Sequence, residues 1–131
     1  MSGPSGLLLD TPVLAEVRSG SPDPAVVGFL RSRSHLRVFV SALTVGELES
    51  ASPGWLRELS SRFTANILPV DHEVALLWRT LPQPAPEDAR GTLRTWLAAT
   101  AIQHRLTIVT PDPEPYVACG AHAVSPFTEF R

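Results

Sequence analysis

Short unbroken apolar runs alternate in this chain with stretches whose apolar residues recur at helical spacing. The alternation predicts the order β-α-α-β-α-α-β-α-α-β-β. Leu7 to Leu9 read as a buried strand. A helix opens with Pro12 in its first turn, runs to about Arg18 and stops at Ser19-Gly20-Ser21-Pro22. Asp23-Pro24 starts a second helix with Val26, Val27, Phe29 and Leu30 as its apolar positions, ending near Arg33. Arg37 to Ser41 form the next strand, and Ser41 and Thr44 are candidate caps for a helix carrying Leu43, Val45, Glu47 and Leu48. Pro53 begins a helix through Trp55, Leu56, Leu59 and Phe63. Ile67 to Val70 make a short strand whose proline suits an edge, and Asp71 caps a helix with Val74, Leu77, Trp78 and Leu81. The proline-rich stretch 82–91 has no apolar period and reads as a flexible loop. A small-residue helix covers Thr92 to Gln103, and a strand covers Leu106 to Thr110. Pro111 to Pro115 read as a stiff, non-helical turn, and Ala121 to Val124 as a last short strand. Strands separated by helices imply an α/β fold: a mainly parallel sheet of four to five strands with helices on both faces.

Composition narrows this without redirecting it. A chain of 131 residues, 44% of them hydrophobic, suits a single domain over 1–131 with a flexible N-terminus at 1–6. No apolar run is long enough to span a membrane, and Met1 to Gly6 carry no basic leader region, so the expected location is the cytoplasm. Cys119 is the single cysteine, which excludes an internal disulfide. All eleven basic residues are arginines, yet the net charge is −2. Bulk electrostatic coating of nucleic acid is therefore excluded, and any RNA contact must be local.

Three carboxylates carry the candidate chemistry. Asp10 ends the first strand, Glu47 lies on the helix after the second, and Asp112 follows the strand ending at Thr110. In a parallel sheet all three lie toward the carboxyl edge, where ligands bind. Hard oxygen donors of this kind suit Mg²⁺ or Mn²⁺, which can activate water against a phosphodiester. Each acid also has a plainer role open to it. Asp10 can cap the helix at Pro12, Glu47 can close a capping box with Thr44, and Asp112 can be a turn residue between prolines. Glu49 and Glu114 read as solvated charges. His35, His72, His104 and His122 lack metal-ligand spacing. Trp55, Trp78 and Trp96 fall in apolar stripes and read as core.

The segments Leu8-Leu9-Asp10-Thr11-Pro12-Val13-Leu14, Val40 to Leu48 and Leu97 to Thr110 together resemble the PIN-domain family, and within it the VapC-type toxins of bacterial toxin–antitoxin pairs. The resemblance implies a PIN-like fold and Mg²⁺-dependent endoribonuclease activity. It also implies a homodimer and a cognate antitoxin-like protein partner. Asp10 and Glu47 fall on the first two family acids, and Asp112 on the last acidic or amide position. Thr11, Ser41 and Thr44 stand beside them as supporting residues. Where the family has an Asn this chain has Pro12, and where it has an Asp-Phe pair the chain reads Pro115-Tyr116. The position of the third metal-binding Asp holds Arg94.

Arg94 shares a helix face with Leu97, Ala98 and Ala101, so its guanidinium should point to the sheet edge, among Asp10, Glu47 and Asp112. Planar and permanently charged, it matches carboxylates. Unit charges 4 Å apart interact by roughly 4 kcal/mol at an effective dielectric of 20, so a fixed cation there opposes a metal about as strongly as one carboxylate attracts it. Two readings follow. One is a VapC-like protein with a degraded metal site, weak or no nuclease activity, and no cofactor, retained to bind a partner chain or RNA. The other is an active nuclease using Asp10, Glu47 and Asp112 with Mg²⁺ or Mn²⁺, Arg94 gripping the scissile phosphate. A structural subunit of a larger assembly is a third.

Overall fold

The computed structural model describes residues 5–51 and 66–129. The elements are β1 (Gly6–Leu9), α1 (Thr11–Arg18), α2 (Pro24–Ser32), β2 (Arg37–Ser41), α3 (Ala42–Ala51), β3 (Ile67–Leu68), α4 (His72–Thr80), α5 (Ala89–His104), β4 (Leu106–Val109), α6 (Glu114–Ala118), β5 (His122–Val124) and α7 (Pro126–Glu129). The helix expected from Pro53 lies outside the described residues.

Five strands form one sheet in the order β3-β2-β1-β4-β5, and every pairing is parallel. The mainly parallel α/β expectation is met, with all pairs parallel. Strand alternation divides the core between the two faces. Leu7 and Leu9 turn to one side, with Val13, Leu14, Val26, Phe29 and Val40. Leu8 turns to the other, with Leu97, Ala98, Ala101, Ile108 and Tyr116. Ala98 and Ala101 are flush with the sheet because they carry only a methyl group, which lets α5 lie close.

The chain leaves β1, adds β2 and β3 on one side, then crosses to β4 on the other. The strand order therefore reverses between β1 and β4, and a crevice opens past their carboxyl ends. Among the described residues no helix is long and apolar enough to cross a membrane.

Several boundaries differ from expectation for local reasons. Gly6 belongs to β1 rather than to a loose terminus. A Cβ there would come within 3.0 Å of the Arg37 carbonyl and of Leu106, so the missing side chain is what lets β2 and β4 close on β1. Helix α5 starts at Ala89, inside the expected 82–91 loop, because Asp88 caps it by accepting the Gly91 N–H at 2.8 Å. Glu114–Ala118 is helical although Pro111 to Pro115 read as a non-helical turn. Pro115 sits in the first turn, where a missing N–H costs nothing. The strand at 67–70 stops at Leu68, before Pro69.

Candidate functional site

Asp10 directly follows β1 and Thr110 directly follows β4, so the switch point brings together two residues 100 positions apart. The Thr110 hydroxyl donates to Asp10 Oδ2 at 2.8 Å. The Asp10 N–H bonds the Val109 carbonyl at 3.0 Å, and Oδ1 accepts the Thr11 N–H at 2.8 Å. Asp10 is also the N-cap of α1, so its plainer role coexists with its place in the site. Tyr116, on α6, lines the same cleft as Asp10. Burial first, then the charge of nearby Asp10, push the phenol well above its ordinary range; Arg94 pulls against that and Glu47 adds to it.

Glu47 is exposed on α3, and its Oε1 accepts the Thr11 hydroxyl at 2.7 Å. That bond across elements stands in place of the capping box with Thr44, which is wholly buried and lies 3.5 Å from the Thr11 hydroxyl. Of the two candidate caps for α3, Ser41 does the work, its hydroxyl accepting the Leu43 N–H at 3.1 Å. Asp112 donates its N–H to the Thr110 hydroxyl at 3.2 Å. One threonine thereby links the turn after β4 to Asp10.

Arg94 faces the crevice, but the carboxylate it pairs with is Asp112, at 3.9 Å, not Asp10 or Glu47. With the Asp112 side chain 62% exposed, solvent screens this pair to at most about 1 kcal/mol. Asp10, Glu47, Asp112, Arg90, Arg94 and Tyr116 line one cleft of about 650 Å³, a size that takes a small molecule or a nucleotide. Among the described residues, no three His, Cys, Asp or Glu side chains group so as to hold a metal ion. The arrangement thus does not fit a divalent cation gripped by three carboxylates. What it offers is a pair of acids tied by hydroxyls, next to two guanidinium groups.

Two lining residues escaped the sequence analysis. Arg90 falls in the expected 82–91 loop; with α5 beginning at Ala89, it stands one turn before Arg94 on the same face. Tyr116 stands out in the sequence only as a departure from a family pattern, and nothing local indicates that it lines the cleft. The tryptophans differ from expectation as well. Trp78 and Trp96 are half-buried and stack on one another, with ring centroids 4.2 Å apart and planes within 6°. Trp55 lies outside the described residues. His35, His72 and His122 are exposed and His104 is half-buried.

Fold and cleft define a parallel α/β domain whose acids and arginines converge past the carboxyl edge of the sheet, at its point of reversal. The PIN-domain profile matches residues 7–120, and the chain belongs to that family. It is 26% identical to VapC ribonuclease Y4jK of Sinorhizobium fredii, over 92% of this chain and 97% of that protein. It is 29% identical to Toxin FitB of Neisseria gonorrhoeae, over 92% and 98%. The crystal structure of FitAcB from Neisseria gonorrhoeae superposes with a TM-score of 0.70 at 28% identity, covering 92% of this chain and 98% of that one.

Proposed function

We propose that this VapC-like PIN-domain protein is the toxin-type member of a toxin–antitoxin pair in which Arg94 has weakened the metal site, leaving weak or no endoribonuclease activity. The observation that carries the reading is the place of Arg94. Its guanidinium lines the cleft of Asp10 and Glu47 and pairs with Asp112. A fixed positive charge among these acids lowers their attraction for a divalent ion. The toxin and ribonuclease names of the relatives support the class, and the family implies a cytoplasmic homodimer that meets an antitoxin-like protein and RNA.

The alternative reading, an active nuclease, would need Mg²⁺ or Mn²⁺ on Asp10, Glu47 and Asp112, which among the described residues do not group so as to hold an ion. Thr11 and Thr110 orient the two inner acids, and Arg94 neutralises the outer one.

The test is a Mn²⁺ titration of the unaltered chain and of Arg94→Asp, with RNA cleavage measured alongside. Exchanging a cation for a ligand should tighten Mn²⁺ binding roughly 10–100-fold, and cleavage should appear only in the variant. Tight binding by the unaltered chain, with cleavage that Asp10→Asn abolishes, would establish the active nuclease instead.

A further inference from the structure

Two guanidinium groups of α5 line the cleft, and they are not equally engaged. Arg94 lies 3.9 Å from Asp112. Arg90 is exposed and has no ion-pair partner among the described residues. They stand four residues apart, so both side chains project from one face of the helix, and both reach the same cavity of about 650 Å³. The amides at the start of α5 are not part of this arrangement, because the Asp88 carboxylate already takes the Gly91 N–H. What is left is a pair of permanently charged forks, each able to give two parallel hydrogen bonds to a phosphate. The Arg94–Asp112 pair is weak enough in solvent for a phosphate to compete for the guanidinium. Asp10 and Glu47 belong to other elements and are held by the Thr110 and Thr11 hydroxyls. Three acids against two arginines leave the cleft without a positive balance, so binding an anion there rests on the forks rather than on bulk charge.

We infer that Arg90 and Arg94 form a clamp for a backbone phosphate of single-stranded RNA, and that the clamp needs no metal ion. The inference deepens the weakened-site proposal and rests on it for the choice of RNA. The group that lowers the cleft's hold on a divalent ion is itself a cation, and it supplies at the phosphate the neutralisation an ion would otherwise bring. In the same cleft, Glu47 spends only Oε1 on Thr11 among the described residues, so its second oxygen can accept a proton from a ribose 2′-hydroxyl. Phosphate donors and a hydroxyl acceptor in one cleft suit RNA, whereas an acidic peptide would meet the arginines and be repelled by Glu47.

The experiment is fluorescence anisotropy of a short fluorescein-labelled oligouridylate, titrated in EDTA with the unaltered chain, Arg90→Ala, Arg90→Lys and Arg94→Ala. The unaltered chain should bind. Each alanine variant should bind roughly tenfold more weakly, as expected for loss of hydrogen bonds to a charged acceptor. The slope of log affinity against log salt should shrink by about 0.7 in Arg90→Ala, because one phosphate contact is lost. Arg90→Lys keeps the charge but not the fork, so it should bind more weakly than the unaltered chain at an unchanged slope. No binding in EDTA, or an affinity and slope indifferent to Arg90→Ala, overturns the clamp. Equal or tighter binding of the corresponding oligodeoxyuridylate overturns the assignment to RNA. Displacement of the oligouridylate by polyglutamate of equal charge would make the arginines a carboxylate site instead. The weakened-site proposal fails separately, through tight Mn²⁺ binding and cleavage by the unaltered chain, whereas the clamp is read in EDTA, where no ion takes part.

Discussion

Thr110 shows how much one side chain can organise. Its hydroxyl gives its proton to Asp10 and accepts the Asp112 N–H, and it is itself 1% exposed. A valine there would strand both partners, which is why the clean apolar strand before it ends in a hydroxyl. Tyr116 is the chain's single tyrosine, so its titration can be followed without interference. Burial and Asp10 raise its pKa in the folded chain above the ordinary 10.0. Above that value the unfolded chain has lost the phenolic proton while the folded chain keeps it. The folded state then binds more protons, and stability falls as pH rises. The contribution is complete below about pH 10 and declines above it by up to about 1.4 kcal/mol per pH unit. Urea unfolding at about pH 9 and about pH 11 should show this decline, and Tyr116→Phe should flatten it. Phenolate absorbance should grow only as the chain unfolds. Asp10 was legible as a candidate because strand, acid and helix start are adjacent in sequence; Tyr116 was not, because a separate helix brings it to the cleft.

Helix starts and stops follow local chemistry wherever a cap can be recognised. Asp23 and Asp71 begin α2 and α4 as expected, accepting the Ala25 and Val74 N–H groups at 2.8 and 3.0 Å. Asp88 does the same for α5, but the prolines before it hid the start. A Cβ on Gly91 would collide with the Asp88 carboxylate, so this glycine is required by the cap itself. Helix α5 ends on Arg105 in the left-handed conformation, at φ 57° and ψ 54°. A side chain there is strained, and glycine is the residue that such a cap favours. Arg105→Gly should raise stability by about 1 kcal/mol, read as a higher denaturant midpoint at unchanged slope. Arg90 illustrates the cost of a misplaced boundary: three residues of helix decide whether it is a loop charge or lines the cleft.

At the scale of the whole molecule, β1 is the spine. It pairs with β2 on one side and β4 on the other, and its side chains feed both cores. Leu8 is wholly buried on the α5 face. Leu8→Ala should cost about 2–5 kcal/mol in unfolding free energy, since neighbours on a sheet can close such a cavity only in part. The loss should appear in thermal melts. Had the sheet reversed between a different pair of strands, Asp10 and Thr110 would not meet.

The amino-acid pattern alone determined most of the strands and helices (not the short helices α6 and α7), a mainly parallel sheet, and the place of Asp10, Glu47 and Asp112 toward one edge. Those properties follow from side-chain period and from caps a few residues away. Only the tertiary structure decided that Thr110 closes on Asp10, that Tyr116 lines the same cleft, that Thr11 holds Glu47, and that Arg94 meets Asp112 rather than the inner acids. The physical reason is that each of these contacts joins different elements, and their distances are set by strand order and by how closely α5 lies on the sheet.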